Sequence, residues 1–150
     1  RGYARAANST MIYTPQMVVA GKDQIVGTKG MQLARHIERH KSTPDVVSLS
    51  LTRDGAGKLQ IVAQRTGAAP SQMLVQMVRY TPEQVVDIHA GENAGKSITY
   101  HNVVASLDAI GQWNGQAELK MQTDAPGDSP AVVLIQDGPS GPILAAARIE

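Results

Sequence analysis

From Asp45 onward the chain is written largely in a period of two. Val47, Leu49 and Leu51 alternate with Ser48, Ser50 and Thr52, the pattern of a strand with one face against a core and the other toward water. Asp54-Gly55-Ala56-Gly57 has turn chemistry, and Leu59-Gln60-Ile61-Val62-Ala63 runs back from it. Further β-prone segments fall at residues 73–80, 84–89, 97–104, 117–122, 131–136 and 143–149, with Gly, Pro, Asn or Asp between them. Strands at this spacing predict a small, mostly antiparallel sandwich. One stretch stays open, because Val103, Val104, Leu107 and Ile110 within residues 101–110 also suit one helical face.

The first 44 residues follow other rules. Residues 1–8 are rich in Ala and Arg and read as the last turns of a helix. A β-prone run at 17–20, a turn at Gly21-Lys22-Asp23 and a return at 24–27 predict a hairpin. Thr28 is placed to cap a helix over 29–41, in which Leu33, Ala34 and Ile37 keep helical spacing. Ser42-Thr43-Pro44 stops that helix and marks a boundary. The expected fold class is therefore α+β, with one unit at residues 1–42 and a β-sandwich at 45–150.

Composition narrows the function classes. Across 150 residues, 14 basic and 13 acidic side chains leave a net charge of +1, which removes the electrostatic argument for nucleic acid as a partner. No apolar run reaches the roughly 20 residues that a membrane-spanning helix requires, so no span is expected. Cys is absent, so these residues supply neither a thiol nucleophile nor a thiolate ligand. Phe is absent too, and the core must come from Val, Ile, Leu, Met and Ala. The opening Arg1-Gly2-Tyr3 is neither an initiator Met nor a signal peptide, and a further segment is expected upstream.

Three short patterns point toward chemistry. Residues 90–97, Ala-Gly-Glu-Asn-Ala-Gly-Lys-Ser, approach the phosphate-loop pattern, whose backbone N–H groups cradle phosphates where a strand gives way to a helix. The β-branched and aromatic Ile98-Thr99-Tyr100 that follows is poor material for opening a helix. His36 and His40 have the spacing of two zinc ligands on a helix, but Glu38 does not directly follow the first His and no third ligand is evident. No metal or cofactor is expected. Tyr13-Thr14-Pro15-Gln16 places an X–Pro bond just before a β-prone run, a setting that tolerates a cis peptide.

Taken in order, Tyr13-Thr14-Pro15-Gln16-Met17-Val18-Val19, Gly91-Glu92-Asn93-Ala94-Gly95-Lys96, His101-Asn102-Val103-Val104, Gly111-Gln112-Trp113-Asn114-Gly115 and Val133-Leu134-Ile135-Gln136 form a set. With the closing Gly141-Pro142-Ile143-Leu144-Ala145-Ala146-Ala147, that set resembles a bacterial family of secreted, thioredoxin-like proteins catalogued as domain of unknown function 1223. The resemblance implies the closing half of a thioredoxin-like unit (helix end, β-hairpin, helix) at 1–42, then the sandwich, in a periplasmic or secreted protein. It implies that Thr14 and Pro15 occupy a cis-proline loop, with a Cys-x-x-Cys motif upstream of Arg1. The hairpin at residues 16–27 would then present unpaired edges, and its expected cover is the missing half or another protein chain. The residues present favour a non-catalytic binding or assembly module. Its expected contact surface is the loop carrying Glu92, Asn93 and Lys96, together with His101 and Trp113. The alternatives are part of a thiol–disulfide oxidoreductase whose cysteines lie upstream, acting through a mixed disulfide, and nucleotide binding at residues 90–97.

Overall fold

The structure is a computed structural model and describes residues 2–6, 15–27, 29–125 and 130–149. Helix α1 (Gly2–Ala6) is followed by strands β1 (Gln16–Val19) and β2 (Asp23–Val26), then by helix α2 (Gly30–Lys41). Seven strands complete the described chain: β3 (Val47–Arg53), β4 (Lys58–Arg65), β5 (Met73–Asp87), β6 (Ser97–Trp113), β7 (Leu119–Asp124), β8 (Ala131–Gln136) and β9 (Ile143–Ile149). The chain is α+β, and every strand pairing is antiparallel.

Strands β1 and β2 form a two-stranded sheet of their own, while the others build a three-stranded sheet, β3-β4-β7, and a four-stranded sheet, β6-β5-β8-β9. The alternation at 47–52 survives as a one-faced strand. Val47 is buried and Leu49 and Leu51 are half-buried, whereas Ser48, Ser50 and Thr52 are exposed. Leu59, Ile61 and Ala63 of the smaller sheet meet Met73, Val75, Trp113, Val133 and Ile135 of the larger one in a single core. Burial of these apolar side chains drives the two sheets together, at about 25 cal/mol for each Å² of apolar surface removed from water.

Two expectations about the strands need correction. Residues 73–80 and 84–89 are not two strands, because β5 continues through Thr81-Pro82 to Asp87. Residues 101–110 are not helical, because β6 runs unbroken from Ser97 to Trp113. Thr28 lies outside the described residues, and α2 begins behind Lys29, which makes no side-chain cap.

The N-terminal elements are tied to the larger sheet. Gln136 is buried, and its Nε2 donates to the Tyr3 hydroxyl (2.8 Å) and to the Gly141 carbonyl (2.7 Å). Gln24 Nε2 donates to the Tyr3 carbonyl. At the β1–β2 turn, Ala20 (φ 50°) and Gly21 (φ 68°) both have positive φ, and Ile143 N–H donates to the Ala20 carbonyl (2.8 Å). The hairpin's turn is thus held by residues of the same chain, a contact the sequence reading did not anticipate. Met17 and Val18 of β1 are exposed.

Candidate functional site

Beyond Arg79, β5 keeps only β6 as a partner. The β8 ladder ends at Arg79↔Ala131, whereas β5 and β6 stay paired as far as Asp87↔Ser97. The eight remaining residues of β5 and their partners make a two-stranded arm, about 27 Å long at roughly 3.4 Å per residue. Register shifts at Val75/Gln76 and Arg79/Tyr80 leave Ile110 and Ala105 as extra residues of β6, which bends and twists the ribbon. Pro82, which has no N–H, falls where β5 has no β8 beside it, the setting in which a strand tolerates proline. Asn102, between the partners of Thr81 and Glu83, has φ 54°, a left-handed value that Asn accepts better than most residues.

The two faces of the arm differ in chemistry. Residues directly opposite one another share a face. The pairs Tyr80↔Val104, Gln84↔Tyr100 and Val86↔Ile98 put apolar side chains on one of them, and Val78↔Leu107 carries the same face into the sheet body. Exposure there is 58% for Val104, 56% for Leu107 and 43% for Tyr100, unusually high for large apolar groups gathered on one surface. The other face carries Thr81, Glu83, Asp87, Ser97, Thr99 and His101, with Val85 and Val103 among them. Here His101 Nδ1 lies 3.7 Å from Glu83 Oε2, and Ser97 Oγ donates to Asp87 Oδ1. The apolar face continues onto the sheet body, since Val78 pairs with Val132 and Val132 with Arg148. Val78, Tyr80, Asn102, Val104, Val132 and Arg148 line a shallow groove of about 330 Å³.

The structure brings some of the expected contact residues together and separates others. Glu92, Asn93 and Lys96 sit in the loop that closes the arm, and His101 lies on its polar face. Trp113 is at the other end of β6, twelve residues from His101, a separation of about 40 Å along the strand. It is buried, and its Nε1 donates to the Ala117 carbonyl (2.8 Å). Thr14 lies outside the described residues. Pro15 directly precedes β1, and its carbonyl accepts the Gly27 N–H (2.8 Å).

The Gly-rich loop spends its backbone groups on itself. Ile88 N–H donates to the Lys96 carbonyl (2.9 Å), Gly95 N–H to Ile88 (2.8 Å) and Ala94 N–H to Gly91 (3.1 Å). Lys96 Nζ donates to Asn93 Oδ1 (2.9 Å). The loop joins two antiparallel strands, and β6 follows it where a phosphate loop requires a helix. The nucleotide reading of residues 90–97 therefore lacks the element that would bind the anion.

His36 and His40 face a partner that the sequence reading did not identify. His40 Nε2 lies 2.7 Å and His36 Nδ1 3.4 Å from Asp23 Oδ2, which also accepts from Arg39 Nη2. Burial pushes the Asp23 carboxyl up, but hydrogen bonds from Arg39 and His40 and the Arg39 charge outweigh it and hold the group at about 2. The carboxylate thus clamps α2 to the β1–β2 hairpin. Because the folded-state value lies below the ordinary 3.8, this stabilisation is complete above about pH 4 and is lost as pH falls toward 2. Asp23→Asn should remove about 1–2 kcal/mol at pH 7 and flatten the fall in stability between pH 4 and 2. Denaturant titrations across that range check it, and parallel curves for both proteins would refute the clamp.

Taken together, the chain is an α+β protein whose antiparallel sandwich extends one amphipathic β-arm. It belongs to the family described as Protein of unknown function (DUF1223), which matches residues 1–136. Neither a curated protein nor a solved structure matches it. No helix among the described residues is long and apolar enough to cross a membrane.

Proposed function

We propose that the chain is a non-catalytic binding or assembly module that contacts a protein partner through the apolar face of its β5–β6 arm. The observation that carries this reading is the exposure of Tyr100 and Val104 on one face of a projecting ribbon, continued by Leu107 at its base. Desolvating such a face supplies the driving force for association. The edges of the arm are less suited to strand addition, since the bulge at its base, Pro82 and the left-handed Asn102 interrupt their hydrogen-bonding rows. With the cell-envelope location that the family resemblance implies, the module would act in the periplasm or outside the cell.

A photo-crosslinking amino acid at Val104 should give covalent protein adducts in the cells that make the protein. The same group at the exposed Ser50, on the opposite sheet, should give none. Equal labelling from both positions, or none from either, would sink the reading.

The order α1, β1, β2, α2 favours a second reading. It is the order expected for the closing half of a thioredoxin-like unit, with Thr14 and Pro15 in the cis-proline loop. Thiol–disulfide chemistry would then need cysteines from outside these residues, because this chain has none. An intact mass taken before and after reduction and alkylation tests this in protein isolated from its native cells. Two newly alkylated thiols support redox chemistry, and a Cys-free mass removes it.

A further inference from the structure

We infer that Asn114 is a self-modification site, whose side-chain amide closes on the Gly115 nitrogen and converts to an aspartyl or isoaspartyl residue. The site lies just past the end of β6 that is remote from the arm, so it is independent of what the arm contacts. Asn114-Gly115 is the one Asn-Gly step in the chain, and it opens the turn between β6 and β7. Three conditions for ring closure meet there. The amide is exposed, and its Oδ1 accepts the Gln116 N–H (3.0 Å), which folds the side chain back over the Gly115 peptide and polarises the Cγ carbonyl. The attacking nitrogen is unengaged, since Gly115 N–H donates to no group among the described residues. Its approach is open, because glycine carries no Cβ. Nor does the fold readily accept another residue at 115, where φ is +72° and an added Cβ would lie 3.0 Å from Met73 Cε and 3.4 Å from Arg65 Cδ. The turn thus keeps a glycine at the position that makes its neighbour reactive.

The chemistry needs only water. Solvent base takes the Gly115 amide proton as the nitrogen bonds to Asn114 Cγ, and the side-chain nitrogen leaves as ammonia. Water then opens the five-membered imide. Cleavage between the nitrogen and Cγ gives aspartate, and cleavage between the nitrogen and the former backbone carbonyl gives isoaspartate. Comparable steps elsewhere are protected. Asp54, before Gly55, accepts the Lys58 and Ala56 N–H groups on Oδ1 (2.9 and 3.0 Å), and these bonds, that from Lys58 foremost, hold its carboxyl ionised and a poor electrophile. Asn93 Oδ1 is engaged by Lys96 Nζ (2.9 Å), and Asn102 precedes the β-branched Val103 inside β6. At Asn114 the product reaches the core. Isoaspartate lengthens by one atom the turn that the Trp113 Nε1–Ala117 hydrogen bond closes (2.8 Å). Either product also sets a negative charge at the rim of a groove of about 370 Å³ lined by Ser71, Gln72, Gln112, Trp113 and Asn114.

The test ages the purified chain for days in mildly alkaline buffer at physiological temperature. Peptide mass spectrometry should find deamidation at Asn114 severalfold ahead of Asn93 and Asn102. Isoaspartyl methyltransferase with labelled S-adenosylmethionine should methylate the aged chain severalfold more than aged Asn114→Ser, whose fold circular dichroism confirms. In guanidinium chloride the rate at Asn114 should be no higher than in the folded chain, because the fold supplies both the Gln116 bond and the free Gly115 nitrogen. The deamidated fraction, separated by its extra negative charge, should melt lower and emit differently, since Trp113 is the only Trp in the chain. An intact Asn114 after ageing, deamidation spread evenly over the three asparagines, or a rate that rises severalfold on unfolding would overturn the inference. A deamidated chain that melts and emits like the fresh one would overturn the coupling to Trp113.

Discussion

Trp113→Ala is expected to lower stability by about 3–5 kcal/mol, the range found when large aromatic side chains are cut from cores. For a chain of this size that corresponds to a fall in Tm of about 10–15 °C. The loss has two parts. The indole fills space between the sheets beside Met73 and Val75, so its removal leaves a cavity. Its Nε1–H also donates to the Ala117 carbonyl, and losing a hydrogen bond of this kind costs about 1 kcal/mol. Tyr100→Ala is the informative comparison. Tyr100 is exposed on the arm, and its removal should change stability by no more than about 0.5 kcal/mol while weakening association. Calorimetry and sedimentation on both variants separate the roles. Trp113→Ala with an unchanged Tm would contradict its place in the core, and Tyr100→Ala with undiminished association would contradict the arm as a contact surface.

That the arm's apolar face is hard to read in the sequence has its cause in β6. Strand character is legible where the period of two is intact, as at 47–52, and the fully apolar Val132-Val133-Leu134-Ile135 of β8 is legible as a buried strand. In β6 the period is broken. Ala105 and Ile110 each add a residue that β5 does not match. Val104 and Leu107 are therefore three apart in sequence yet share a face, as residues of a helix would. The bulges that shape the arm are thus what gave residues 101–110 their helical spacing. Thr81-Pro82 hid the arm a second time, because a proline reads as a strand end unless the loss of the β8 partner is known. Asp23 was missed for another reason. A single carboxylate in a tight hairpin has no local pattern that names its partners, which sit on a helix 13 to 17 residues later. The signal available was the pair His36 and His40 on one helical face, which names a surface but not the carboxylate that meets it.

Gly21→Ala is expected to remove about 2–4 kcal/mol, through two separable contributions. The first is backbone strain. Gly21 has φ +68°, and an L side chain there costs about 1–2 kcal/mol. Gly57, in the β3–β4 turn, has φ +79° with nothing within 4 Å of an added Cβ, so Gly57→Ala measures strain alone. The second contribution exists only at Gly21. An added Cβ would press on the Gly141 carbonyl oxygen and lie 3.1 Å from Ile143 N. Those atoms belong to the backbone that holds the hairpin, since Ile143 N–H donates to Ala20 and the Gly141 carbonyl accepts from Gln136. Neither can swing aside as the end of a side chain would, so the turn must separate from the β8–β9 connection. The excess loss of Gly21→Ala over Gly57→Ala therefore measures the joint between the N-terminal hairpin and the sandwich. Hydrogen exchange supplies the local readout: the Ile143 amide should exchange faster in Gly21→Ala and be unchanged in Gly57→Ala. Equal losses in the two variants, with Ile143 protected in both, would mean that the hairpin stands apart from the sandwich. Unequal losses with Ile143 released would mean that the hairpin and the sandwich are fixed to one another through the β8–β9 connection.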